Sequence, residues 1–109
     1  MIVYELRHEI YVWRDRETIV NTLLFEIEDD AIEYLNIKKD NIIDEYCIEL
    51  NIPCSIESLR NYINEYDYSY KNIVEHEKSF FIEVENYGYD KLSITMKEIL
   101  KFGYVLNEC

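Results

Sequence analysis

From Ile2 to Trp13 the chain alternates without a break. Ile2, Tyr4, Leu6, His8, Ile10 and Val12 fall on one side, and Val3, Glu5, Arg7, Glu9, Tyr11 and Trp13 on the other. A period of two over so long a stretch fixes a half-buried β-strand, because successive side chains of a strand point to opposite faces. Everything downstream has to supply that strand with neighbours. Arg14-Asp15-Arg16-Glu17 is polar enough to turn the chain, with Asp15 suited to a type I turn. Thr18 to Glu28 then offers two patterns: a helical stripe through Leu24, Ile27, Ala31 and Leu35, and a β-branched and aromatic set of Thr18, Ile19, Val20, Thr22 and Phe25. The second is preferred, so the expectation is an N-terminal β-hairpin.

Three short helices are expected next. Asp30-Ala31-Ile32-Glu33 has an acidic cap candidate with Glu three residues on, opening a helix to about Ile37 that Lys38-Lys39-Asp40 breaks. A second runs from about Asn41 to Leu50, with Ile42, Ile43, Tyr46, Cys47 and Leu50 on one face and Asp40, Asp44, Glu45 and Glu49 largely on the other, until Pro53 stops it. Ser55 caps a third, ending near Tyr66. Phe80 to Tyr87 alternates again and reads as a third strand, followed by the turn residue Gly88. Ser93 or Thr95 opens a final helix through about Phe102, stopped by Gly103, and Tyr104-Val105-Leu106 adds a short closing strand. The expected fold is α+β in one domain, residues 1–109. It is an antiparallel sheet of three or four strands, built from the N-terminal hairpin and a C-terminal strand, with about three short helices inserted and one C-terminal helix.

A chain of 109 residues with 49% hydrophobic content is large enough to build one core. Its formal charge of -12 does not signal disorder, since eleven Tyr, four Phe and one Trp accompany it. The same charge repels nucleic-acid backbones and anionic lipid, which points to a basic protein as partner and away from direct nucleic-acid or membrane binding. No apolar run approaches a membrane span, and Met1-Ile2-Val3-Tyr4-Glu5 lacks the basic start of a signal peptide. Cys47, Cys54 and Cys109 form no pairing pattern and suit reduced thiols. A cytoplasmic protein is expected. Two glycines and one proline leave no phosphate-binding loop.

Chemistry is sparse. There is no nucleophile elbow, and His8 and His76 are too isolated in sequence to form a zinc motif. His8 is expected at the edge of the core with a hydrogen-bond partner, and Cys47 within the apolar stripe. Glu75, Glu77, Glu83 and Glu85 with His76 are the one group of carboxylates worth testing for a metal, but no phosphate-holding constellation of cations accompanies them. No catalytic residue, metal or cofactor is therefore assigned.

Charge, by contrast, is concentrated. Between Glu17 and Tyr70 thirteen acids face three bases, Lys38, Lys39 and Arg60. Asp40 with Asp44, Glu45 with Glu49, and Glu26, Asp30 and Glu33 stand at helical spacings where like charges cost ~0.2 to 0.5 kcal/mol per pair, the Glu26 case only if its segment is helical. A chain optimised only for its fold would interleave lysine. Same-face acids lie ~6 Å apart along a helix, of the order of the charge spacing along a nucleic-acid strand. Tyr66-Asp67-Tyr68-Ser69-Tyr70 adds the densest aromatic spot, and tyrosine gives large contact area with a polar tip. The expected partner-binding residues are Glu26, Asp30, Glu33, Asp40, Asp44, Glu45, Glu49, Tyr66, Asp67, Tyr68 and Tyr70.

In size, charge and composition, across its whole length, the chain resembles the small acidic inhibitors that phages and other mobile elements encode against CRISPR or restriction enzymes. It also resembles the immunity proteins that neutralise nuclease toxins. No motif carries the resemblance, so it transfers no residue. It implies a non-enzymatic inhibitor, possible as a nucleic-acid mimic, that blocks the basic site of a nuclease or another nucleic-acid-binding protein. The alternatives are an immunity protein or antitoxin, and an acidic assembly module.

Overall fold

The structure, a computed structural model, describes residues 1–66, 72–84 and 87–98, with residues 65, 66 and 72 described by backbone only. The alternating N-terminal segment forms β1 (Ile2–Val12) and pairs on one side with β2 (Glu17–Phe25). The hairpin turn puts Arg16 in the left-handed region at φ 51, and its N–H donates to the Val12 carbonyl at 2.9 Å. On its other side β1 pairs over its full eleven residues with β5 (Gly88–Glu98). A meander of β3 (Asn72–His76), β4 (Ser79–Val84) and β5 completes an antiparallel sheet in the order β2-β1-β5-β4-β3. Helices α1 (Glu28–Leu50) and α2 (Ile56–Tyr66) connect the two edge strands, β2 and β3.

These helices differ from the expected ones. One continuous helix of 23 residues replaces the two short ones, and Lys38-Lys39-Asp40 does not interrupt it. Lysine is a good helix former, and no Gly or Pro stands in the segment, so charge alone supplied the expected break. The helix begins at Glu28 after Ile27, which makes no side-chain cap, so Asp30 lies in the first turn instead of at the cap. Glu28, Asp29 and Asp30 there meet the positive end of the helix dipole. At the other end Asn51 takes the left-handed conformation at φ 57, and the N–H of Ile52 reaches back to the Cys47 carbonyl at 3.0 Å. Ser55 caps α2: its Oγ accepts from the Ser58 N–H at 3.0 Å.

The sheet also differs. It has five strands instead of the expected three or four, because β3 adds an edge strand and the expected C-terminal helix is β5 as far as Glu98. Ser93 and Thr95 are interior strand positions, paired with Arg7 and Glu5 of β1. Their neighbours Ile94 and Thr95 are β-branched, and two adjacent strands supply the partners that settle the choice. β3 was inconspicuous because its hairpin with β4 turns on Glu77 and Lys78, without the Gly or Asn that usually marks a two-residue loop. The expected Tyr104–Leu106 strand lies outside the described residues.

Both helices pack on the face of the sheet that carries Leu6, Phe80, Ile82, Val84 and Leu92, and these side chains form the core with Leu35, Ile42, Ile43, Cys47, Leu59 and Ile63. Burying a large apolar side chain of this kind contributes about 1.5 to 3 kcal/mol. Coverage is uneven. α1 crosses β1 and β5, while β2 is exposed along nearly its whole length. On the opposite face, Tyr11 stacks on Tyr89 with ring centroids 5.5 Å apart, and the Tyr89 hydroxyl donates to Glu9 at 2.5 Å. Lys97, buried there beside Val3, is paired with Glu5 at 3.0 Å.

Candidate functional site

The continuity of α1 decides where the acids stand. With 3.6 residues per turn, Ala31, Leu35, Ile42, Ile43 and Cys47 face the core, Asp30, Glu33 and Asp44 fall away from it, and Asp40, two turns before Cys47, stands at the edge of that stripe on the α2 flank. All four are exposed. Ile37 and Ile48 share that outward stripe and are 53% and 71% exposed. From Asp30 to Asp44 the stripe runs about 21 Å, and its two isoleucines are about 16.5 Å apart. Among the described residues none of these four carboxylates has a cationic partner, whereas Glu5, Glu9, Glu28 and Glu75 all do.

Glu45 and Glu49 do not belong to this stripe. One residue step turns a helix by about 100°, which moves Glu45 away from Asp44 and onto the flank above β1. Both line a cleft of about 570 Å³ between α1 and the sheet, while Asp40 and Asp44 border a groove on the α2 side. The four acids expected on one face are thus divided between two flanks. Glu26 is exposed just beyond β2. Tyr66 ends α2, but its side chain lies outside the described residues, as do Asp67, Tyr68 and Tyr70 entirely.

The cleft contains a polar constellation centred on His8, the histidine expected to hold a hydrogen-bond partner at the edge of the core. His8 Nε2 lies 2.8 Å from Asp90 Oδ1, each side chain 13% exposed. A carboxylate only accepts, so Nε2 carries the proton and donates. Tyr46 lies on the same carboxylate from α1, and burial first, then the Asp90 charge and hydrogen bond, push its hydroxyl pKa far up. Read as a strand, Gly88–Glu98 would have placed Asp90 in phase with Leu92 and Ile94, an acid among inward-facing residues, and so pointed to a buried partner. An oriented imidazole can move a proton, but among the described residues no Ser, Thr or Cys lines the cleft to act as nucleophile. The Tyr46 hydroxyl is committed to Asp90. The group fits a polar clasp between α1 and the sheet.

The carboxylates considered for a metal are separated. Glu75 is on the helix side, held by Arg60 at 3.0 Å and Lys39 at 3.4 Å, while Glu83 pairs with Tyr89 on the other face and Glu85 lies outside the described residues. Among the described residues no three of His, Cys, Asp or Glu are placed to hold an ion. No helix among them is long and apolar enough to cross a membrane. No family model, curated protein or solved structure matches the chain.

Proposed function

We propose that this protein is a non-enzymatic inhibitor of the cytosol that lays the outer face of α1 on a basic, nucleic-acid-binding surface of a partner protein. The observation that supports this reading is the outward stripe, where Asp30, Glu33, Asp40 and Asp44 have no cation among the described residues and flank the exposed Ile37 and Ile48. Carboxylates at this spacing suit a groove built for phosphates. The isoleucines add what charge alone lacks, since fields chiefly steer encounter while a few desolvated apolar contacts slow dissociation.

The test is capture of partners from the source cell by immobilised wild-type protein at ~50 and at ~500 mM salt, which spans strong to weak screening. Capture of a basic nucleic-acid-binding protein, released at high salt and losing its nucleic acid to the inhibitor, is the expected result. Asp40→Lys/Asp44→Lys should slow association, and Ile37→Ala/Ile48→Ala should speed dissociation, with both variants folded by circular dichroism. Salt-insensitive binding, or a folded charge reversal that binds as wild type does, overturns the proposal.

A further inference from the structure

We draw no further inference here: the strongest candidate, the cleft between α1 and the sheet, is lined by cations and carboxylates alike, Lys38 and Arg14 with Glu45 and Glu49, so nothing in the structure shows what class of ligand fills it, and its polar group of His8, Tyr46 and Asp90 belongs to the site already described.

Discussion

His8 and Asp90 are diagonal neighbours in the sheet, yet their side chains meet at 2.8 Å. His8 stands opposite Leu92, and Asp90 stands opposite Ile10. The carboxylate thus leans along the strand to receive His8 from β1 while taking Tyr46 from α1. Asp90→Ala should lower stability by about 1 to 3 kcal/mol, the cost of leaving partly buried donors without an acceptor. A double-mutant cycle of His8→Phe with Asp90→Asn, followed by urea unfolding, should show coupling. Additive effects would mean that the two residues act separately.

Gly88 pairs with Val12 on one side and Val84 on the other, at a φ of 133° that side-chain-bearing residues rarely adopt. A Cβ there would stand 1.8 Å from the Tyr11 carbonyl oxygen. Gly88→Ala should therefore cost at least about 1 to 3 kcal/mol from backbone strain alone. A urea midpoint equal to that of wild type would contradict this account of the β1–β5 junction.

Glu75 joins β3 to both helices through Lys39 and Arg60. Burial pushes its carboxyl pKa up, but the Arg60 hydrogen bond and the Lys39 charge outweigh that and hold it below the ordinary glutamate value. Folding therefore favours the anion. The contribution is complete above the unfolded pKa of about 4.3 and is lost as pH falls through the lower folded value. Urea midpoints of wild type and Glu75→Gln should differ at neutral pH and converge in acid. A difference constant from neutral to acid would show that the ion pairs do not contribute.

Cys47 is fully buried in the core, and its Sγ–H is directed to the Ser55 carbonyl oxygen at 3.6 Å. Burial pushes its thiol pKa up. Cys54 is exposed. In a Cys109→Ser background, a thiol reagent should modify Cys54 rapidly and reach Cys47 only on unfolding, because the thiolate is the reactive form. Two fast thiols in the native protein would place Cys47 outside the core.

The sequence by itself left residues 18–28 between strand and helix until pairing with β1 drew 18–25 into β2, but it determined β1 through strict alternation, α2 through Ser55, and the acidity of the central segment. Each depends on neighbours along the chain. Only the tertiary structure decided that Gly88–Glu98 is a strand, since Ser93 and Thr95 suit a helix start or a sheet, and pairing with β1 and β4 supplies the deciding hydrogen bonds. It also decided that Lys38 and Lys39 lie within one helix, where Lys39 reaches Glu75 on β3 across the fold. The continuity of that helix brings Ile37 and Ile48, eleven residues apart, into one acidic stripe. Local composition fixes how much charge a segment carries, but the face on which each charge emerges is set by the rotation of the helix against its sheet.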